Sequence, residues 1–175
     1  MTRFVFLDRD GTLVRDAGYT HHLADYALLP GVVPALRRLA AAGFGLAIVT
    51  NQSGIGRGLF DESAYRAFEA HLEADLARQG VVIAASFFCP HRPEQGCACR
   101  KPAPGLFFQA RDALGAELGA SFVIGNDLRD AEAGHAAGCR GAVLIGPERE
   151  GPLPPSTLCA DSLPDAAEHI LRARP

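Results

Sequence analysis

Two carboxylates two residues apart, Asp8 and Asp10, close the apolar run Phe4-Val5-Phe6-Leu7 and are followed by Gly11 and Thr12. Neighbouring carboxylates repel unless a cation sits with them, and ligands of open α/β sheets collect at the carboxyl ends of buried strands. The pair points to a divalent cation and an anionic substrate. The plainer reading is a pair of acids that only caps a turn. A second constellation is Cys89-Pro90-His91 with Cys97-Ala98-Cys99, four soft or borderline ligands within eleven residues. A Cys-x-His clip and a Cys-x-Cys clip joined by a short loop can surround one tetrahedral Zn²⁺ in a closed, structural site. A disulfide is disfavoured without an export leader, and redox pairs usually have the Cys-x-x-Cys spacing. Cys139 and Cys159 stand apart and read as small core residues.

Thr50-Asn51-Gln52-Ser53-Gly54-Ile55-Gly56-Arg57-Gly58 follows a second apolar run, Leu46-Ala47-Ile48-Val49. A strand-end hydroxyl with amides and glycines suits a phosphate, because side-chain O–H and bare backbone N–H can both approach its oxygens. Directly after the zinc clips comes Arg100-Lys101-Pro102-Ala103-Pro104-Gly105. Lys101 is the one lysine in a chain with sixteen arginines, a compact ammonium where a wide guanidinium fork would not fit a tight phosphate pocket.

Asp-Arg-Asp-Gly-Thr after an apolar strand resembles the first motif of the haloacid dehalogenase-like phosphatases. The string Thr-Asn-Gln-Ser-Gly-Ile-x-Arg-Gly, the zinc loop and Arg-Lys-Pro-x-Pro-Gly are similar to the heptose bisphosphate phosphatase branch of that superfamily. They are less closely similar to the histidinol-phosphatase domain of histidine biosynthesis. The resemblance implies that Asp8 attacks the phosphoryl group to form an aspartyl-phosphate and that Asp10 acts as acid and base. It implies that Thr50 and Lys101 hold the phosphoryl group. Asp16, Ala17, Gly18, Tyr19, Asn51, Gln52, Ser53, Arg57 and Arg100 would read the sugar and its second phosphate. The superfamily's Gly-Asp-x-x-x-Asp pattern here reads Gly125-Asn126-Asp127-Leu128-Arg129-Asp130, with an amide at the usual magnesium ligand. The implied Mg²⁺ site is Asp8, the backbone carbonyl of Asp10 and Asn126, with Asp127 as an alternative ligand or substrate contact and Asp130 orienting the loop. The rivals are a histidinol-phosphate or other small sugar-phosphate phosphatase and, because of Asn126, a non-catalytic phosphosugar-binding homologue.

These groups need a scaffold of strands with acids and hydroxyls at their ends. At 175 residues and 48% hydrophobic, the chain has enough apolar material for one domain over 1–175 with a zinc loop at 89–99. Helical spacing over Val32–Ala42, from an Asp61 cap to Gln79-Gly80, over Leu106–Leu114, Ala131–Gly138 and Leu163–Ala173 alternates with strands at 4–7, 46–49, 84–88, 122–125 and 142–145. That alternation predicts an α/β fold, a Rossmann-like, haloacid dehalogenase-like three-layer domain with a central parallel sheet. No segment is long enough for a large cap. His21, His22, His71 and the acids of the Asp61-capped helix read as solvated. Gly151 to Pro155 reads as a surface loop. A net charge of −3 speaks against nucleic acid and anionic lipid, leaving a small-molecule sugar bisphosphate as partner. No apolar run approaches twenty residues and no leader precedes the first strand, so a cytoplasmic monomer with no membrane contact is expected.

Overall fold

The computed structural model describes residues 2–147 and 151–173. Its frame is a sheet of six parallel strands. In chain order these are β1 (Phe4–Leu7), β2 (Gly45–Asn51), β3 (Ala85–Cys89), β4 (Phe122–Gly125), β5 (Gly141–Ile145) and β6 (Thr157–Ala160). Across the sheet they run β3-β2-β1-β4-β5-β6. Strand order therefore reverses between β1 and β4, where the connections leave in opposite directions and open a crevice at the carboxyl ends. Asp8 follows β1, Thr50 lies near the end of β2 and Asn126 follows β4, so the crevice gathers the predicted residues.

The described residues form six α-helices, α1 (Val32–Ala41), α2 (Ser53–Gly56), α3 (Glu62–Arg78), α4 (Gly105–Leu114), α5 (Leu128–Ala137) and α6 (Leu163–Arg172), of which all but the one-turn α2 pack on the sheet. Alternating strand side chains divide the core between two faces. Val5 and Leu7 of β1 pack with Leu36 and Leu39 of α1, Phe68 and Leu72 of α3, and Ile170 of α6. Phe4 and Phe6 face the other way, onto Leu106 and Phe107 of α4 and Ala131 of α5, and the Phe6 and Phe107 rings meet edge to face at 5.3 Å. Three layers result, as expected, with no large cap among the described residues.

The boundaries differ where side chains rather than periodicity set them. α5 starts at Leu128, three residues before the predicted Ala131. Asp127 caps it, accepting from Arg129 N, and the Asp130 side chain accepts from Asp127 N, a reciprocal box absent from an apolar pattern. β6 went unpredicted because it is a short edge strand whose Leu158 is half exposed, giving no buried run. The loop that precedes it contains the proline-rich piece; residues 151–156 are irregular and Glu148 to Glu150 lie outside the described residues. The α3 acids are not simply solvated: Glu69 is buried against Arg9, and Asp75 accepts from Tyr26 Oη at 2.7 Å. Its cap is as expected, with Asp61 accepting from Ala64 N. The rings of His21 and His22 lie 3.8 Å apart just before a short 3₁₀ turn, and His21 is not simply solvated but stacks on Phe60. Cys139 is largely inside, its thiol pushed up to about 12 by burial.

Candidate active site

A cavity of about 370 Å³ opens at the reversal of strand order. Asp8, Asp10, Thr50, Lys101, Asn126 and Asp130 line its floor, and Asp16, Gly18, Tyr19, Ser53, Arg100 and Arg129 stand around it. Three segments distant in sequence thus meet because β1, β2 and β4 are adjacent in the sheet.

Lys101 sits at the centre and is almost wholly buried. Its ammonium donates to Asp8 Oδ1 at 2.9 Å and to the Val49 carbonyl at 2.7 Å, and lies 2.6 Å from Asp130 Oδ1. Three acceptors match the three protons of an ammonium, a geometry that a planar guanidinium could not reproduce. Burial alone would pull the Lys101 pKa down, but Asp130 and Asp8 outweigh it and hold it above its ordinary value. Burial pushes Asp130 up from 3.8 to about 6, against the pull of Lys101. Asp130 thus orients the loop, through Asp127 N, and also anchors the lysine.

Asp10 lies on the other side of Asp8. Arg9 Nε and Nη2 donate to its two oxygens at 3.1 and 3.0 Å, and Gln52 Nε2 donates at 2.8 Å. Burial raises the Asp10 pKa in spite of Arg9, which keeps a proton more available on Asp10 than on an ordinary aspartate. Gly11 then turns the chain with φ at +75°, and a Cβ there would lie 2.1 Å from Asn126 Nδ2. Only glycine lets the β1 loop close on Asn126.

The second loop differs from expectation in its detail. Asn51 and Gln52 line the cavity, yet their amides hold protein groups: Asn51 pairs with both the N–H and the carbonyl of Lys101, and Gln52 holds Asp10 and Thr50 Oγ1. Arg57 and Ala17 do not line it. Arg57 leaves the one-turn helix α2 pointing outward and sits 3.8 Å from Glu94 on the zinc loop. Asp127 is held by Arg129, whose Nε and Nη2 both donate at 2.8 Å, so its carboxylate serves the helix cap and that arginine. Arg129 is the cavity cation that the sequence reading missed; its signal was the helix start at Leu128, which places its side chain on the first turn above the site.

Beyond β3, Cys89, His91, Cys97 and Cys99 converge, with all four ligand atoms within 4.8 Å of one another and every cysteine unpaired. Cys99 Sγ lies 3.2 Å from both Cys89 Sγ and His91 Nδ1. Three sulfurs and an imidazole nitrogen at such spacing could hold one tetrahedral zinc. The loop is docked on α4: Gly105 N donates to the Ala98 carbonyl, and a Cβ at Gly105 would lie 2.3 Å from that oxygen. Arg100 Nη1 donates to the His91 carbonyl, so the same loop fixes the start of the Arg100-Lys101 pair. Magnesium asks instead for oxygen donors, which Asp8, Asp10 and Asn126 at the cavity floor can supply. The set fits that ion in kind, with one negative charge fewer than an all-aspartate site.

Residues 19–138 match the family described as haloacid dehalogenase-like hydrolase. The chain belongs to the haloacid dehalogenase-like hydrolases, and its chemistry is hydrolytic. Among curated relatives it is 40% identical over 148 residues to the D-glycero-beta-D-manno-heptose-1,7-bisphosphate 7-phosphatase of Escherichia coli O6:H1, covering 81% of this chain and 78% of that protein. The enzyme of the same name from Yersinia pestis is 39% identical over the same length, covering 81% of this chain and 79% of that protein. A crystal structure of D,D-heptose 1,7-bisphosphate phosphatase from B. bronchiseptica, complexed with magnesium and phosphate, superposes with a TM-score of 0.89. Its sequence identity is 34%, and the match covers 99% of this chain and all of that one. No helix among the described residues is long and apolar enough to cross a membrane.

Proposed function

We propose that this chain is a magnesium-dependent phosphatase that removes the 7-phosphate of D-glycero-D-manno-heptose 1,7-bisphosphate through an aspartyl-phosphate. The observation that carries the reading is the Lys101 ammonium on Asp8 Oδ1, at a strand-end cavity that Thr50 and Asp10 also line. An ammonium fixed against the nucleophile is where a phosphoryl oxygen needs a positive charge as the new bond forms. The relatives named for this reaction support the substrate assignment.

In this mechanism Asp8 attacks phosphorus while the bond to the sugar oxygen breaks, and the leaving oxygen takes the proton of Asp10. A water then gives its proton to Asp10 and attacks phosphorus, the bond to Asp8 breaks, and inorganic phosphate leaves. Lys101 and Thr50 hold the transferring group. Bound magnesium, held by Asp8, the Asp10 carbonyl and Asn126, supplies the charge that lets an anionic nucleophile meet a phosphate. Arg100 and Arg129 at the rim, with Asp16, Gly18, Tyr19 and Ser53, receive the sugar and its second phosphate. The zinc loop stiffens the segment that delivers Arg100 and Lys101. The working unit is a single domain over 1–175, acting in the cytoplasm as a monomer on a small phosphosugar, with no nucleic-acid partner.

Phosphate release from both anomers of the heptose 1,7-bisphosphate, with Mg²⁺ present or chelated and histidinol phosphate alongside, tests this reading. Mg²⁺-dependent turnover of one heptose anomer is expected. Preference for histidinol phosphate overturns the substrate assignment. Tight binding without release from any substrate overturns the enzyme and leaves a phosphosugar-binding homologue, the reading that Asn126 favours.

A further inference from the structure

The residue between the two catalytic carboxylates is the largest fully buried side chain among the described residues, and it is charged. Arg9 has no exposed surface, a placement that is strongly unfavourable for a guanidinium unless every donor is matched. Its partners come from three separate places. Nε and Nη2 form a fork on the two oxygens of Asp10, Nη2 also donates to the Thr20 carbonyl at 2.6 Å, and Nη1 donates to Glu69 Oε2 at 3.4 Å. The plane is covered by aromatic rings of α3, with the guanidinium carbon 4.7 Å from the Phe68 centroid and 5.4 Å from that of Tyr65. Glu69 is itself buried, and its Oε1 finds no hydrogen-bond partner among the described residues, so Arg9 is the cation that makes this carboxylate tolerable inside α3.

We infer that Arg9, anchored on Glu69, is a positioning residue. It fixes the Asp10 carboxyl in the orientation that serves the leaving oxygen, and through Thr20 it ties the substrate loop Asp16 to Tyr19 to the same point. Two features distinguish this from a buried pair that only stabilises the core. The fork engages both oxygens of Asp10, which fixes rotation about its χ2, and Gln52 Nε2 donates to Oδ2, the oxygen that Arg9 Nη2 also holds. The Thr20 contact joins the acid to the loop through one guanidinium nitrogen, so the substrate loop and the proton donor cannot shift independently. Lysine has no fork and cannot present two parallel donors to the two oxygens of Asp10. The inference rests on the reading of Asp10 as the general acid.

The test separates leaving groups. In single turnover with Mg²⁺ and zinc bound, release of the sugar from heptose 1,7-bisphosphate requires protonation of a strongly basic alkoxide, whereas release of 4-nitrophenolate from 4-nitrophenyl phosphate does not. Arg9→Lys and Glu69→Gln should slow sugar release at least about tenfold more than nitrophenolate release, the pattern of a misplaced acid. Asp10→Asn is the reference. If Asp10→Asn shows the split and the two variants slow both substrates in parallel, or neither, positioning by Arg9 is overturned while the acid stands. If Asp10→Asn itself shows no split, the acid assignment fails and the inference with it. A Glu69→Gln protein that does not fold, judged by circular dichroism, overturns the assignment in favour of a purely structural pair.

Discussion

Asp8 and Asp10 are two residues apart in the chain, and each faces its own cation, itself backed by a second buried acid. On one side the order is Asp8, Lys101, Asp130, and on the other Asp10, Arg9, Glu69. The first cation is a point charge beside the open cavity, with a backbone carbonyl as its third acceptor, and its far anchor sits on the first turn of α5. The second is a planar fork sealed under aromatic rings, its anchor in the middle of α3. A group that must meet a transferring phosphoryl needs compact charge at the surface of the cavity. One that must hold a carboxylate in a fixed plane needs two parallel donors and no water. The difference assigns charge stabilisation to the lysine side and orientation to the arginine side.

The largest effect should come from breaking the lysine side at its nucleophile. Asp8→Asn is expected to lower phosphate release by about 10⁴-fold or more, with the fold retained by circular dichroism, since Asp10, the other carboxylate after β1, is held by Arg9 and Gln52. Lys101→Arg keeps the charge and changes its shape, and steady-state assays should show kcat down by about 10²-fold, because a fork cannot meet Asp8, Asp130 and the Val49 carbonyl together. A variant near wild-type activity would erase the distinction between the two sides.

Zinc removal sharpens the contrast, because the metal loop runs directly into Arg100 and Lys101 and Arg100 is fixed on its His91 carbonyl. Stripping zinc with a thiol-compatible chelator while keeping Mg²⁺ saturating should cost at least about tenfold in kcat. Amide exchange should then speed up across 89–105, with 9–20 and 62–78 unchanged. The acid behind the lysine carries a pH signature. Asp130 binds its proton more tightly in the folded, metal-free protein than at an ordinary pKa of 3.8, so its contribution to stability is present below that value and lost as pH rises through about 6. Urea midpoints at pH 4 and pH 7 should differ less in Asp130→Asn than in the unaltered chain. The smallest change is Asn126→Asp, which restores a charge near the floor and should tighten Mg²⁺ by about tenfold, read from the Mg²⁺ dependence of turnover. Unchanged metal dependence would remove Asn126 from the ligand set.

Much of the lysine side could be read in the sequence, because each component closes or follows an apolar strand or a run of metal ligands. Apolar runs mark buried strands, and a strand end marks the crevice, so Asp8, Thr50 and Lys101 could be placed without coordinates. The zinc set was visible because its chemistry depends on spacing within one short loop. The arginine side was not, since Glu69 lies sixty residues from Arg9 and resembles any other acid on a polar helix face. The protein partners of Asn51 and Gln52 were hidden for a related reason. An amide beside a phosphate loop has the same sequence signature whether it faces a ligand or, as here, clasps Lys101 and Asp10. β6 escaped because an edge strand with half-exposed side chains carries no buried run, and the early start of α5 depended on a polar box rather than on periodicity.

The solitary lysine has a spectroscopic consequence. Its ammonium lies within 3 Å of Asp8, the proposed nucleophile, and of Asp130 behind it. Protein grown on ¹⁵N-lysine in an otherwise unlabelled background therefore carries its only side-chain label at the reacting centre, and one resonance follows substrate arrival, phosphoryl transfer and product departure without assignment of any other signal.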